Sequence, residues 1–187
     1  MRVLLLAGEP SGDRYAAGIA RAIALEHPSA EFKAMGASAL RAAGVELVVD
    51  STELAVMGLT EVLSHLPLLL KARRRLRDCL DGWKPDVVVP VDYPEFNLRI
   101  AGDARKRDIP VAWFISPQAW AWRPGRVPGI GRRVSRMLVI FAFETALYER
   151  HDIPVEFVGH PLMDFHSPRP PADAARRRIS RELSDRP

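Results

Sequence analysis

Short apolar runs with no polar residue inside them recur along this chain of 187 residues. The clearest are Val87-Val88-Val89 and Val139-Ile140-Phe141, and helical stretches separate such runs from one another. A strand that is apolar on both faces belongs to a parallel sheet covered by helices on both sides. The pattern therefore predicts an α/β fold built on a doubly wound parallel sheet. In such a fold, functional residues gather in loops beyond the carboxyl ends of the strands.

The chain divides into predicted elements on this basis. The expected strands are residues 3–7, 31–34, 46–49, 86–91, 111–115, 137–141 and 156–158. The expected helices are residues 13–26, 38–43, 59–81 with a break at Pro67, 97–107 and 144–151. Residues 1–165 are expected to form one domain. Residues 166–187 are expected to be a Pro- and Arg-rich linker or tail, with a basic helix over 172–183.

Composition excludes several classes of protein. With 48% hydrophobic and 27% charged residues, the chain is typical of a globular domain. The first apolar run ends at Gly8, too soon for a secretory signal, and no run is long enough to span a bilayer. The single Cys79 permits no internal disulfide, which suits the cytoplasm. Cys79, His151 and His160 lack the spacing of metal ligands, so neither a metal nor a cofactor is expected.

The net charge of +4 is unevenly distributed. The basic residues form three clusters: Lys71, Arg73, Arg74, Arg75 and Arg77; Arg123, Arg126, Arg132, Arg133 and Arg136; and Arg176, Arg177, Arg178 and Arg181. Such surfaces attract the phosphates of nucleic acids, anionic lipids or small substrates, and the alternative is a set of solvated helix faces. The apolar residues 66–70 lead directly into the first cluster. They could lie in a membrane interface, or they could face a core.

The turn after the first predicted strand contains two glycines, in Ala7-Gly8-Glu9-Pro10-Ser11-Gly12-Asp13. Glycine allows a tight turn and a close approach of the backbone to a ligand. The spacing fits neither the dinucleotide-binding fingerprint nor a P-loop. Ser11 could cap the following helix, whose N-terminal amides favour an anionic or hydroxyl-rich ligand. Glu9 adds a carboxylate with no evident capping role, and the alternative is an ordinary strand-to-helix turn.

Asp92 follows the predicted strand 86–91, in Val91-Asp92-Tyr93-Pro94-Glu95-Phe96-Asn97. This is the position at which a doubly wound fold places its active residues. A carboxylate there could accept a proton from an attacking hydroxyl, given a suitable pKa. The alternative is that Asp92 caps a turn and that Asn97 caps the next helix. The pattern alone leaves both interpretations open.

Two of the four tryptophans lie in Ser116-Pro117-Gln118-Ala119-Trp120-Ala121-Trp122-Arg123. Tryptophan and arginine together suit sugar faces, acyl chains or phosphate, although packing at a sheet edge is the more frequent use of tryptophan. His160 follows the last predicted strand. It could donate a hydrogen bond to a substrate or simply cap that strand.

Six segments in collinear order carry a resemblance to a known family. They are AGEPSGD at 7–13, LAVMGLTEVL at 54–63, PDVVVPVDYPEFN at 85–97, SPQAWAWRPGRV at 116–127, MLVIFAFE at 137–144 and PVEFVGHPL at 154–162. Together they resemble lipid-A-disaccharide synthases, which are GT-B glycosyltransferases of lipid A biosynthesis. The resemblance implies that residues 1–165 are a Rossmann-like, acceptor-binding amino-terminal domain of such an enzyme.

The resemblance also implies a reaction. Such enzymes transfer diacylglucosamine from UDP to the 6-hydroxyl of diacylglucosamine 1-phosphate, with inversion and release of UDP. They work without nucleic acid, at the inner face of the cytoplasmic membrane. Asp92 would be the general base, and Glu9 would line the same cleft. The substrate-binding residues implied are Ser11, Gly12, Asp13, Met57, Gly58, Glu61, Asn97, Ser116, Gln118, Trp120, Arg123 and His160.

The chain departs from the family pattern in three respects. Glu95 stands where the family has aspartate, and Gly36-Ala37 stands where it has a glycine pair. The family also has a second, UDP-binding domain, which is expected to be missing here. The chain is therefore expected to be an acceptor-binding half that needs a separate nucleotide-binding half or that forms a homo-oligomer. By itself, it is expected to bind the acylated glucosamine phosphate weakly. The alternatives are a non-catalytic glycolipid- or membrane-binding remnant, and another GT-B-like enzyme acting on UDP-N-acetylglucosamine, such as an epimerase.

Overall fold

A computed structural model describes residues 1–54, 66–118 and 124–163 of the chain. The strands are β1 Arg2–Leu6, β2 Glu31–Gly36, β3 Glu46–Asp50, β4 Val87–Pro90, β5 Ala112–Phe114, β6 Arg136–Val139 and β7 Val155–Phe157. The helices are α1 Pro10–Glu26, α2 Ser38–Ala42, α3 Leu66–Gly82, α4 Pro94–Arg105, α5 Val127–Gly131 and α6 Ala142–Glu149. Short 3-10 turns cover Ser51–Glu53, Pro124–Arg126 and Pro161–Met163.

The strands form two parallel sheets that meet edge to edge. The first has the order β3-β2-β1-β4, and the second has the order β5-β6-β7. A parallel bridge between Val88 and Val111 joins them, and the Val88 amide donates to the Pro110 carbonyl at 3.0 Å. The order of the strands therefore reverses between β1 and β4. In open α/β sheets, ligands bind beyond the carboxyl ends of the strands at such a reversal.

Helices cover both faces of the sheet. Successive side chains of a strand point to opposite faces, and residues 3 to 6 of β1 are all fully buried. Leu4 and Leu6 pack in a core with α3 and α4, whereas Val3 and Leu5 pack in a second core with α1 and α2. The predicted doubly wound parallel fold is confirmed.

Two helices begin three residues earlier than expected, and proline is the reason. Helix α1 begins at Pro10 and α4 begins at Pro94, because proline already has a helical φ and the first turn needs no amide donor from it. The predicted cap by Ser11 is wrong, since Glu9 occupies the N-cap and no side chain caps the helix. The capping alternative for Asn97 is also wrong, since this residue lies inside α4.

Other element bounds differ from the expected ones by one or two residues. Strand β5 ends at Phe114 because Ile115 has a φ of +67°, a left-handed conformation that no strand continues. Pro67 lies in the first turn of the described part of α3. Residues 55–65, which hold most of the expected start of that helix, lie outside the described residues. The expected tail helix over 172–183 does so too.

Two kinds of feature are absent from the described ranges. No helix there is long and apolar enough to cross a bilayer. No group of three or more His, Cys, Asp or Glu side chains there is arranged to hold a metal ion. The thiol of Cys79 is free and buried in the core, and burial raises its pKa.

Candidate active site at the strand-order reversal

The loops after β1 and β4 meet at the point where the strand order reverses. The carboxylate of Asp92 bridges them: Oδ1 accepts a hydrogen bond from the Gly8 amide at 2.6 Å, and Oδ2 accepts one from the Glu9 amide at 3.0 Å. The sequence predicted that Asp92 and Glu9 lie in one cleft. The structure brings the Glu9 backbone against Asp92 and leaves the Glu9 side chain exposed.

Two glycines make this contact possible. A Cβ atom at Gly12 would lie 1.8 Å from Oδ2 of Asp92, which is far inside any van der Waals contact. A Cβ atom at Gly8 would lie 2.6 Å from the Cβ of Tyr93. The two glycines thus let the first turn of α1 pack directly against the loop after β4. This is the close approach of backbone that the sequence predicted, although its partner is the chain's own carboxylate.

A strained backbone and a buried amide hold the loop after β4. Tyr93, the N-cap of α4, has φ +48° and ψ +57°, in the left-handed region that a bulky residue rarely adopts. The Asn97 side chain is fully buried, and its Nδ2 donates to the carbonyls of Asp92 at 2.6 Å and Leu6 at 3.2 Å. Asn97 therefore ties the end of β4 to the end of β1. Its Oδ1 has no partner among the described residues.

Burial sets the charge state of Asp92. Loss of solvent around the carboxylate raises its pKa from the usual value near 3.8 to about 6. The hydrogen bonds from the Gly8 and Glu9 amides favour the charged form and offset part of this rise, while the negative charges of Glu9 and Asp13 add to it. Asp92 is thus an acid whose pKa lies close to the pH at which a general base works best.

Asp13, which was predicted to bind substrate, holds a turn inside the protein. Its side chain is buried, and its oxygens accept hydrogen bonds from the backbone amides of Ala37 at 2.7 Å, Ala39 at 2.7 Å and Leu40 at 3.4 Å. The carboxylate therefore holds the turn between β2 and α2. A cleft of about 490 Å³ opens between this turn and the loop after β1, and Asp13 lines it together with Gly8 and Pro10.

A pair of buried hydroxyl groups joins the loop after β5 to α6. Ser116 is buried, and its Oγ lies 2.6 Å from the hydroxyl of Tyr148 on α6. Burial raises the pKa of Tyr148 to about 12. Ser116 was predicted to bind substrate, and its hydroxyl is engaged inside the protein. Gln118, two residues later, is exposed.

His160 is not brought next to Asp92. It follows β7, which lies three strand positions from β4, or about 14 Å at the usual spacing of strands. Its Nδ1 accepts a hydrogen bond from the Leu162 amide at 3.2 Å, and its ring contacts Phe141 edge-on. The other predicted site residues, Met57, Gly58, Glu61, Trp120 and Arg123, lie outside the described residues.

The sequence did not indicate two contributors to this site. Tyr93 packs against Gly8 beside Asp92, and Arg99 extends from α4 near the same loop. The glycines of the first turn were a signal for close packing. A left-handed tyrosine has no such signal, because the residue before a proline favours an extended backbone.

A model of the family "Lipid-A-disaccharide synthetase" matches residues 3–183. The chain belongs to the lipid-A-disaccharide synthase family. The synthase of Alkalilimnicola ehrlichii is 48% identical over 176 residues, which are 94% of this chain and 46% of that protein. The synthase of Geobacter sulfurreducens is 47% identical over 163 residues, which are 87% of this chain and 42% of that protein. The chain thus spans less than half the length of the curated relatives it matches.

Solved structures agree with the family at the level of the fold. A UDP-GlcNAc 2-epimerase from Neisseria meningitidis, bound to UDP-GlcNAc, superposes with a TM-score of 0.62 over 88% of this chain and 47% of its own, at 15% identity. The MurG of Acinetobacter baumannii gives a TM-score of 0.50 over 75% of this chain and 41% of its own, at 16% identity. These neighbours share the α/β architecture predicted for a GT-B domain. At such identities the epimerase shows the fold alone.

Proposed function

We propose that this chain is the acceptor-binding part of a lipid-A-disaccharide synthase and that Asp92 is its general base. The observation that supports the proposal is the placement of this carboxylate at the strand-order reversal, held by two backbone amides and with a pKa of about 6. A carboxylate has about four lone-pair sites, so two remain free to accept a proton. The proposed substrates are UDP-diacylglucosamine as donor and diacylglucosamine 1-phosphate as acceptor.

In the proposed reaction, the 6-hydroxyl of the acceptor sugar attacks the anomeric carbon of the donor. Asp92 takes the hydroxyl proton as the new C–O bond forms, and the bond between the anomeric carbon and the UDP oxygen breaks with inversion. Asp92 must be ionised for this step, and its ionised form predominates above about pH 6. The negative charge of the Glu9 side chain raises the pKa of Asp92 and so favours its action as a base, whereas the hydrogen bond from the Glu9 amide lowers that pKa.

The contacts to UDP are proposed to come from another polypeptide or from further sequence. Residues 1–165 would form the acceptor domain, and 166–187 would connect it to that part. The relatives are more than twice as long as the segment that matches, which leaves room for a second domain. Exposed apolar side chains near the ends of β6 and β7 provide a surface for such a partner or for a second copy of the chain: Phe141, Phe143, Phe157 and Met163.

A transfer assay tests the proposal. The chain is mixed with both acylated sugars, with and without a separately expressed carboxyl-terminal half of the Geobacter sulfurreducens relative. Disaccharide is expected with both halves and not with either alone, because leaving-group stabilisation is commonly a large catalytic term. No product in any mixture of folded halves would favour the non-catalytic, glycolipid-binding alternative. Product from this chain alone would contradict the need for a second half.

We further propose that α3 places the chain on the inner face of the cytoplasmic membrane. Leu66, Leu68 and Leu70 are exposed at one end of this helix, and the exposed cations of Lys71, Arg74 and Arg75 follow directly. Apolar side chains beside cations suit the boundary between acyl chains and anionic headgroups.

Replacing Leu68 and Leu70 by serine is expected to reduce binding to phosphatidylglycerol vesicles several-fold, since each leucine contributes its transfer free energy. Co-sedimentation measures the bound fraction. The matched control is Leu25→Ser, which removes an even more exposed leucine from α1, and it should bind as the unchanged chain does. Equal loss in both variants would contradict a membrane role for α3.

A further inference from the structure

A basic cleft of about 350 Å³ lies on the surface where α3, α4 and the flanks of α5 meet. Five cationic side chains line it: Arg73, Arg99, Lys106, Arg126 and Arg133. Two carboxylates line it as well, those of Glu95 and Asp103. Counted formally, the lining carries five positive and two negative charges, a surplus of three. Only Arg73, Arg126 and Arg133 belong to the basic clusters seen in the sequence.

Both carboxylates are already paired with two of these cations. Arg73 makes a two-pronged contact with the buried Asp103, with its Nε 3.0 Å from Oδ2 and its Nη2 3.1 Å from Oδ1. Arg126 is paired with Glu95. The surplus therefore belongs to the remaining three cations of the lining. Within the described ranges, none of these three forms an ion pair with a carboxylate.

The three unpaired cations line one cleft from two elements. Arg99 lies within α4, and Lys106, seven residues later, is the C-cap of the same helix. Arg133 follows α5, crosses over Gly102 of α4 and donates from Nη1 to the Gly129 carbonyl at 2.6 Å. Cations that line one cleft repel one another, and an anion between them relieves that repulsion.

A smaller apolar cleft connects this site with the loop that carries Asp92. It has a volume of about 90 Å³ and shares Arg73, Glu95 and Arg99 with the basic cleft. Its other lining residues are apolar or aromatic: Leu66, Leu69, Leu70, Tyr93 and Phe96. Tyr93 directly follows Asp92 in the chain, so the apolar cleft borders the loop that carries the proposed base.

We propose that the basic cleft binds the phosphomonoester of an acylated sugar phosphate, with Arg99, Lys106 and Arg133 as its ligands. A phosphomonoester carries a charge of about −1.5 to −2 near pH 7, which matches the surplus better than the single charge of a phosphodiester. The guanidinium groups suit its oxygens geometrically. The apolar cleft would take part of an acyl chain. This proposal rests on the proposed function, because it assigns the phosphate of the acceptor to a place in the fold.

The test compares a short-chain diacylglucosamine 1-phosphate with the same sugar lacking phosphate, by titration calorimetry on the 187-residue chain. The unchanged chain is expected to prefer the phosphorylated sugar about tenfold or more, since charge-assisted hydrogen bonds are the strong ones. Arg99→Gln and Lys106→Gln should each remove most of that preference. The matched control is Arg21→Gln, which removes an exposed charge from α1 outside both clefts.

Different failures have different meanings. A preference that survives Arg99→Gln, or one that Arg21→Gln reduces equally, overturns the assignment of the cleft and leaves the proposed function standing. Loss of binding to phosphatidylglycerol vesicles in Arg99→Gln, with the sugar preference unchanged, reassigns the cleft to phosphodiester headgroups and overturns the proposal. If neither acylated sugar binds, the proposed function fails. Phenyl phosphate then serves as probe: binding that Arg99→Gln abolishes supports a phosphate site, and no binding overturns it.

Discussion

Asp92→Asn is expected to lower the rate of disaccharide formation by about 10²–10⁴-fold in the two-half assay, the usual contribution of a positioned general base. The amide cannot take the hydroxyl proton, and one of its two terminal atoms becomes a donor facing the Glu9 amide. The acceptor sugar should still bind, since the change removes neither apolar surface nor any proposed phosphate ligand. Product formation measured by thin-layer chromatography gives the rate, and calorimetry gives the binding.

The matched control for this prediction lies at the opposite end of the same strand. Asp86 precedes β4 and accepts a hydrogen bond from the Arg2 amide at 2.7 Å, so Asp86→Asn makes the same chemical change away from the site. It should leave the rate unchanged. Transfer by the unchanged protein should also rise with pH through about 6, and Glu9→Gln should move that limb to lower pH by removing a negative charge. A rate for Asp92→Asn within about threefold of the unchanged protein would exclude Asp92 as the base.

Asp13→Ala is expected to lower the free energy of unfolding by about 3 kcal/mol. The change removes the acceptor for three backbone amides, and each donor that is left unsatisfied and buried costs about 1–3 kcal/mol. The expected cost is at the low end of the sum of three such terms, because Ala37 and Ala39 are only partly buried and the turn can relax. For a domain of this size, the midpoint of thermal unfolding should fall by about 6–12 °C. Circular dichroism against temperature measures it.

Comparison with Asp50→Ala shows how much of the loss in stability depends on the burial of the carboxylate. The Asp50 carboxylate also accepts a backbone hydrogen bond, from the Thr52 amide at 3.0 Å, and it contacts Arg41. The Asp50 side chain is more exposed than that of Asp13, so water can replace the lost hydrogen bonds. The expected loss of free energy of unfolding is therefore about 1 kcal/mol. Asp13→Asn should fall between the two, since one oxygen remains. Equal losses for Asp13→Ala and Asp50→Ala would show that the turn between β2 and α2 does not depend on the buried carboxylate.

The order and type of the described strands and helices could be predicted from the sequence, except for the short helix α5, which was not expected. Runs such as Val87-Val88-Val89 are apolar on both faces, and few structures other than a covered parallel sheet accommodate them. Helix starts were predicted less well. They were expected at the polar residues Asp13 and Asn97, whereas Pro10 and Pro94 begin the helices three residues earlier.

That shift of three residues explains what was missed at the site. Asp13 was expected to begin the helix, but with the start at Pro10 it lies in the fourth position of α1. Three residues correspond to about 300° of rotation on a helix, which turns this side chain inward towards α2. Asn97 differs from its expected position for the same reason: it does not cap α4 but lies buried inside it, and its side chain links the end of β4 to the end of β1. The position of Asp92 did not depend on any helix start, because it follows directly from the end of a strand.

The partner of Ser116 illustrates a second limit. Its hydroxyl contacts Tyr148, which lies 32 positions later on a helix that follows a different strand. The sequence around either residue gives no indication that the two are in contact. Only the packing of α6 against the sheet brings the two hydroxyls together, and such long-range choices depend on the shape of the whole core.

The strand-order reversal has a consequence for the order of synthesis. The hydrogen-bond partners of Asp92 in the described ranges come from residues 8 to 97, although Gly8 and Asp92 lie 84 positions apart. A nascent chain therefore holds each of these partners before β5, β6 and β7 have left the ribosome. Closing so long a loop is slow on the scale of local structure. The core beneath α4 is completed only later, because it also contains Trp113 of β5 and Met137 of β6. Sequence drift in these two strands therefore alters the packing that supports the base rather than its hydrogen bonds.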